Sequence, residues 1–287
     1  MGLDDEKLNV ENKSLTVNLP KARRGRLARE NKFTRLVLTP RDFDVLKFVI
    51  EMRFATREEL FRRFFETTLS GTKATSPEFM RRRLNELEKN GLLVKERNFV
   101  THEVCFIGTE LSQKILQEKY PHNFFPRAIK QMYWVNFIHD QLVLESRIEF
   151  ERQLKIVEWI SDHSLKSLCK KMFDLDAKYS PDGVYRAPDG PRIAFELENS
   201  RKQKYLYREK IDKYAKILEH RKYHPGMFRK VHFKCVTKSV FEIIKKEVDW
   251  HHDKFVVELI GNNAEAPAHS FETEDVDDTD SNWLDDL

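Results

Sequence analysis

Cysteine is scarce in this sequence, and its few cysteines stand far apart. They are Cys105, Cys169 and Cys235, and no two of them have Cys-x-x-Cys spacing. This pattern is typical of reduced thiols in a cytosolic protein and makes a zinc site or a disulfide framework unexpected. The chain also lacks an apolar run approaching ~20 residues and a basic-then-apolar leader, which argues against a membrane span and a signal peptide. We therefore expect a cytoplasmic protein without membrane contact.

Basic residues are absent from the C-terminal end of the chain. Residues 265–287 carry nine acids and no Lys or Arg, so a net charge of +4 for the whole chain leaves +13 on the rest. A basic body indicates a polyanionic partner. We expect residues 261–287 to form a disordered acidic tail. Within it, Trp283 resembles the centre of a short motif that docks on a protein partner.

The first 33 residues are polar and lack hydrophobic periodicity. They include a dense basic segment with Arg23, Arg24 and Arg26. Such an arm is able to lie along phosphates or enter a minor groove. The alternative interpretation is a disordered, solvated leader.

Residues 34–122 have the signals of three helices followed by a hairpin. Thr39 precedes a proline at the start of the first helix, and Thr56 and Glu59 have the spacing of a capping box. A third helix is predicted from 76 to 90, with Gly91 as its C-terminal stop. Two short strands follow at 92–96 and 103–108. This order resembles a winged helix-turn-helix domain, which implies DNA binding.

The third helix is the candidate recognition helix. Its periodicity places Met80, Leu84 and Leu87 toward the core. The outward positions, together with the basic residues of the hairpin, are the candidate DNA contacts: Glu78, Arg81, Arg82, Asn85, Lys95 and Arg97. Arginine reads guanine, asparagine reads adenine, and hairpin cations suit phosphates. The alternatives are a solvated basic helix face and a protein-binding surface.

Residues 127–260 are predicted to form a mixed sheet flanked by helices, so the chain as a whole is of the α+β or α/β class. Pro188-Asp189-Gly190 predicts a hairpin between strands at 183–186 and 193–198. On the second strand Glu196 and Glu198 share one face, and Asp182 begins the partner strand. Three clustered carboxylates suit a divalent cation such as Mg²⁺.

This carboxylate spacing resembles the PD-(D/E)xK nuclease-like fold, with Glu198 where that motif usually has lysine. The resemblance implies Asp182 and Glu196 as metal ligands and Asp182, Glu196, Glu198 and Lys204 as catalytic residues, if the site is active. Lys202 and Lys210 are further candidates for the missing cation. Either Glu145 or Glu149 on the preceding long helix is a candidate for an additional acid. The alternative is a solvated hairpin with ordinary surface acids.

A winged helix followed by a PD-(D/E)xK-like domain resembles the replication-relaxation family of bacterial and plasmid proteins. The residues that carry the resemblance are Arg81 to Leu92, Pro181-Asp182-Gly183, Glu196-x-Glu198 and Lys210-x-x-x-Tyr214. The family implies double-stranded DNA binding in plasmid replication, mobilisation or transcriptional control. The nuclease-like domain would then be inactive, without cofactor, and used for dimerisation or DNA clamping. The alternative is a Mg²⁺-dependent endonuclease directed by its winged helix.

Overall fold

The computed structural model is an α+β protein and describes residues 15–19, 34–67, 71–74, 76–98, 101–168, 180–219, 228–249 and 253–260. Its N-terminal half consists of β1 (Leu15–Leu19), β2 (Thr34–Leu38), α1 (Pro40–Met52), β3 (Phe54–Thr56), α2 (Arg57–Leu60) with a π-helical turn (Phe61–Phe65), α3 (Glu78–Lys89), β4 (Leu93–Arg97), β5 (Val104–Gly108) and α4 (Glu110–Lys119). Its C-terminal half consists of α5 (Phe137–Gln153), β6 (Glu158–Ser161), α6 (Asp162–Leu168), β7 (Gly183–Arg186), β8 (Arg192–Glu198), α7 (Lys204–Glu219), β9 (Lys230–Cys235), α8 (Lys238–Val248) and β10 (Phe255–Leu259).

Local capping chemistry fixes where the first two helices begin. The Asp42 amide donates to Thr39 Oγ1, and the Thr39 amide donates to the Asp42 carboxylate at 2.6 Å. The Glu59 amide donates to Thr56 Oγ1, and the Thr56 amide donates to the Glu59 carboxylate at 2.6 Å. Each pair satisfies backbone groups that a helix start leaves without a partner. Both predicted caps are confirmed.

The third helix ends as the sequence predicts. After α3, Gly91 has a φ of 73°, a conformation that is favourable for glycine. The chain then enters the β4–β5 hairpin, which is joined by β3 into an antiparallel sheet of order β3-β5-β4. Met80, Leu84 and Leu87 of α3 are buried, as predicted.

The N-terminal arm differs from its prediction. Within the arm, Leu15–Leu19 pairs antiparallel with β2 as strand β1, an element that the sequence pattern did not predict. Apolar residues alternate with polar ones along β1, and Leu15 and Val17 pair with Leu38 and Leu36 of β2. Arg23, Arg24 and Arg26 lie outside the described residues, as does the predicted acidic tail with Trp283.

The C-terminal half is built on a five-stranded mixed sheet of order β10-β9-β8-β7-β6. The β6-β7-β8 part is antiparallel, whereas β8-β9-β10 is parallel with α7 and α8 as its crossovers. The predicted hairpin and mixed sheet are therefore confirmed. Helix α6 is an addition that the sequence pattern did not predict. In this arrangement β8 is the central strand of the sheet.

The two halves share one hydrophobic core. Phe48 of α1 and Leu84 of α3 belong to the same cluster as Leu144 of α5 and Leu197 of β8. A second core lies on the opposite face of the sheet, beneath α7 and α8. The continuous first core fixes α1 against the sheet that carries the acidic residues. Among the described residues, no helix is both long and apolar enough to cross a membrane.

The Glu59 carboxyl is the basis of a pH prediction. It is 1% exposed, and burial raises its pKa to about 7. Because its folded-state pKa lies above its unfolded value, folding favours the protonated form, and this contribution is lost as pH rises through about 7. The Glu59→Gln variant keeps an acceptor for the cap. As the pH is raised from 5 to 8, we expect its free energy of unfolding to increase by roughly 2–3 kcal/mol relative to that of the parent protein.

Urea unfolding of both proteins at the two pH values measures this difference. Glu58→Gln is the matched control, since Glu58 is exposed on the same helical turn. If Glu59→Gln and Glu58→Gln show the same dependence on pH, the buried carboxyl is not the source of the change.

Candidate functional site

The candidate site begins at the β7–β8 hairpin. Gly183 pairs with Phe195, so Asp182 lies beside Glu196 one step further along the ladder. The Leu197 amide donates to Asp182 Oδ2 at 2.8 Å, which fixes the Asp182 carboxylate immediately before the first residue of β7. A Cβ on Gly183 would stand 2.6 Å from Trp159 Cζ2, so this approach requires glycine.

Glu196 and Glu198 lie on one face of β8, as predicted, and one lysine bridges them. Lys210 Nζ of α7 donates to Glu196 Oε2 at 2.7 Å and to Glu198 Oε1 at 2.6 Å. Lys202 Nζ donates to the other Glu198 oxygen at 2.9 Å, and the Tyr214 hydroxyl donates to Glu196 Oε1. The two buried carboxylates therefore have a donor on every oxygen.

The structure distinguishes among the lysines that the sequence offered as partners of Glu196 and Glu198. Of the three candidates for the missing cation, Lys202 and Lys210 contact the glutamates, whereas Lys204 pairs with Glu247 of α8 at 3.0 Å. Lys210 lies between Tyr207 and Tyr214, which with Ile211 form the buried face of α7. Helical spacing thus turns Lys210 toward β8, and this periodicity was the signal that could have selected it.

The charges of this cluster are strongly coupled. Burial raises the pKa of Glu196 to about 7, although Lys210 acts in the opposite direction. Burial also disfavours the charged form of Lys210, but the carboxylates of Glu196, Glu198 and Asp182 outweigh it and hold the lysine pKa above its usual range. Burial and the Glu196 charge raise the pKa of Tyr214. Lys210 is therefore the permanent cation of the cluster, and Tyr214 is a neutral hydrogen-bond donor.

A second group of charges continues from Asp182 into the N-terminal half. His139 of α5 lies with Nε2 3.4 Å from Asp182 Oδ2 and Nδ1 3.4 Å from Asp140 Oδ1. Arg53, at the end of α1, pairs with Asp162 at 2.5 Å and with Asp140 at 3.5 Å. Burial opposes protonation of His139, but the two aspartates raise its pKa to about 10. His139 is thus an imidazolium that partly neutralises Asp182.

Sequence reasoning did not assign this second group. His139 and Asp140 are adjacent in the sequence, but Arg53 and Asp162 are distant from them in the chain. The candidate acids on α5 are paired elsewhere: Glu149 with Lys234 at 2.6 Å and Glu145 with Arg62 at 3.5 Å. The expected further acid from that helix is therefore replaced at the site by His139 and Asp140.

The carboxylate oxygens of the cluster already accept hydrogen bonds from groups of the protein. Magnesium takes oxygen ligands in octahedral geometry, usually one or two carboxylates together with several waters. Glu196 and Glu198 accept from Lys210, Lys202 and Tyr214, and Asp182 accepts from the Leu197 amide. In the described part of the chain, no group of three or more His, Cys, Asp or Glu side chains is placed to hold a metal ion.

The predicted DNA contacts form a separate, exposed surface on the N-terminal half. Glu78, Arg81, Arg82 and Asn85 are exposed on α3, and Lys95 and Arg97 are exposed on β4. Arg82 donates to Glu78 at 3.0 Å, so these two residues form an ion pair at the surface. Phe79 beside them is 62% exposed and was not among the predicted contacts.

Arg83 has a different role from its two arginine neighbours. Its guanidinium donates to the buried Asp42 carboxylate at 2.8 and 2.5 Å and to the Val37 carbonyl at 2.7 Å. Arg83 thereby anchors α3 to α1 and β2 and fixes which face of the helix is exposed.

No family model, curated protein or solved structure matches this chain. The assignment of function therefore depends on the geometry of the two surfaces described above.

Proposed function

We propose that this protein binds double-stranded DNA through α3 and the β4–β5 hairpin, as a winged helix-turn-helix domain. The observation that carries the proposal is that three consecutive arginines have different surroundings. Arg83 anchors α3, whereas Arg81 and Arg82 are exposed with Asn85 on the outer face. Such a helix can enter a major groove and present residues that read base edges. The order helix, strand, helix, helix and hairpin supports the same interpretation.

We propose further that the C-terminal half is an inactive PD-(D/E)xK-like domain that serves as a platform for dimerisation or DNA clamping. The hydrogen bonds of the carboxylates support this interpretation, since every oxygen of Glu196 and Glu198 already accepts from a lysine or a tyrosine. The resemblance to the replication-relaxation family suggests a cytoplasmic bacterial protein of plasmid replication, mobilisation or transcriptional control. A protein partner for the acidic tail around Trp283 belongs to the same proposal.

The proposal predicts a large loss of DNA affinity for Arg81→Ala/Arg82→Ala. Each bidentate contact to a base that is lost costs about 1–3 kcal/mol. The measurement is fluorescence anisotropy on duplexes that the parent protein selects from a random library, repeated over a range of salt concentrations. Lys95→Ala/Arg97→Ala should instead flatten the salt dependence, by about 0.9 in the log–log slope for each phosphate contact.

The matched control is Lys238→Ala/Lys246→Ala, which removes two exposed positive charges from α8. This variant should retain sequence-selective binding. Equal affinities for the parent protein and Arg81→Ala/Arg82→Ala would contradict the assignment of α3 as the recognition helix.

One observation favours the alternative of a metal-dependent endonuclease. Lys210 contacts both Glu196 and Glu198, so α7 supplies a lysine that the strand motif lacks. Incubation of supercoiled plasmid with Mg²⁺ or Mn²⁺ separates the two functions. The binding proposal expects a mobility shift without nicking. Metal-dependent nicking that Asp182→Ala removes would establish the nuclease instead.

A further inference from the structure

A basic cleft lies where the two halves of the protein meet, away from the α3 face and the carboxylate cluster. It is enclosed by α1, the π-helical turn and α5 and has a volume of about 470 Å³. Its lining includes five cations, Lys47, Arg63, Arg147, Arg152 and Lys155, and two acids, Asp44 and Glu151. We call it the junction cleft.

The inner wall of the junction cleft is a rigid layer of arginine and phenylalanine. The Arg63 guanidinium lies against the rings of both Phe48 and Phe64, 4.4 and 4.3 Å from their centroids, and the two rings contact each other edge to face. The Arg147 guanidinium lies 4.8 Å from the Phe48 centroid on the same wall. These stacked groups are fixed in position before a ligand arrives, so binding would not have to order them.

The two guanidinium groups of the wall are matched by two carboxylates, so the net positive charge of the junction cleft comes from the cations at its rim. Glu151 accepts from Arg63 at 2.5 and 2.7 Å and also from Arg147 at 3.0 Å, so one carboxylate serves two guanidinium groups. Glu51 adds an ion pair with Arg147 at 2.9 Å. Burial and the adjacent Arg147 charge lower the pKa of Arg63, as expected where positive charges are crowded.

The rim of the junction cleft carries cations that are accessible to a ligand. Lys47 is 41% exposed, Arg152 is 50% exposed, and Lys155 is also exposed. Arg152 donates to Glu66 at 2.8 Å, an exposed contact that an incoming anion can replace at little cost. Together the rim and the wall offer guanidinium and ammonium donors to one volume, and phosphate is the anion that suits such a set.

We infer that the junction cleft binds a small organic phosphate of about nucleotide size. Its volume falls within the ~300–1,000 Å³ typical of small-molecule sites. In this assignment Lys47, Arg152 and Lys155 contact the phosphate oxygens, and the aromatic wall contacts the apolar part of the ligand. Because Lys47 and Arg63 come from the N-terminal half and the other three cations from α5 and the turn after it, the ligand bridges both halves. The inference does not depend on DNA binding.

The test is a titration of the full-length protein with adenosine triphosphate, and separately with pyrophosphate, in the presence of a chelator that removes divalent metals. Calorimetry and thermal unfolding report affinity and stabilisation. We expect saturable binding at one site per chain and a higher Tm. Lys47→Gln and Lys155→Gln should each weaken binding about tenfold, since each removes one charge-assisted hydrogen bond. Lys114→Gln and Lys246→Gln, on exposed positions of α4 and α8, should leave the affinity unchanged.

Three results would overturn the inference. The first is the absence of saturable binding by both probes. The second is an equal effect of sulfate at the same ionic strength, which identifies an adventitious ion only. The third is that Lys47→Gln and Lys155→Gln weaken the binding of duplex DNA as much as they weaken the binding of the small phosphate, which assigns the cleft to the DNA surface. Arg81→Ala/Arg82→Ala should bind the small phosphate normally, so this result is separable from failure of the α3 proposal.

Discussion

Lys210→Met is expected to lower the free energy of unfolding by about 3–5 kcal/mol, because it leaves the buried Glu196 carboxylate without its cation and leaves Glu198 with Lys202 alone. The Glu196 and Glu198 side chains are 5% and 1% exposed, and Lys210 is the group that contacts both. Methionine fills similar space without charge, so lost packing contributes little to the change. Urea unfolding at neutral pH gives the value directly.

Two further variants test whether the lost stability comes from a buried carboxylate that has no cation beside it. Lys216→Met changes an exposed lysine on the same helix and should be close to neutral. Adding Glu196→Gln and Glu198→Gln to Lys210→Met should recover part of the lost stability, because no ionised group then remains buried alone. Equal stability of Lys210→Met and Lys216→Met would show that the carboxylates do not depend on Lys210.

Arg83→Met is expected to lower the free energy of unfolding by a similar amount, about 3–5 kcal/mol, because it removes one partner of a buried ion pair. Asp42 is 1% exposed and accepts two hydrogen bonds from Arg83 while it also caps α1. The change leaves the buried Asp42 carboxylate without its cation and removes the hydrogen bond that joins α3 to the Val37 carbonyl. Thermal and urea unfolding measure the loss.

The comparison for this prediction is between neighbours on α3. Arg82→Met removes an exposed arginine whose partner Glu78 is also at the surface, so its effect on stability should fall below ~1 kcal/mol. Asp42→Asn/Arg83→Met should lose less stability than Arg83→Met alone, because asparagine leaves no buried charge without a partner. Similar losses for Arg82→Met and Arg83→Met would contradict the anchoring role of Arg83.

The features that the sequence predicted correctly depend on neighbouring residues. Thr39 and Thr56 cap helices whose partners stand three residues away, and the turn before Gly190 joins two strands directly. The alternation along β8 likewise placed Glu196 and Glu198 on one face. In each case the interaction that determines the structure lies within a few residues, so a local pattern is sufficient.

The features that were missed depend on contacts between distant segments. Arg53 pairs with Asp162, 109 positions later, and local pattern does not indicate that α1 ends beside α6. Lys202, Lys204 and Lys210 were all candidates, and the packing of α7 against β8 is what places Lys210 on both Glu196 and Glu198. Strand β1 needs β2 as its partner, and α6 follows β6 without an intervening turn signal. Tertiary packing decides each of these cases.

The shared core has a consequence for synthesis on the ribosome. Phe48 and Val49 of α1 belong to the cluster that Leu144 and Leu197 complete, so part of the surface of α1 has no cover until β8 has been translated. At ~5–20 residues per second, that interval is on the order of ten seconds. During that time the nascent chain presents an apolar surface suited to chaperones. The translation of β8 therefore controls when the first helix of the protein becomes protected.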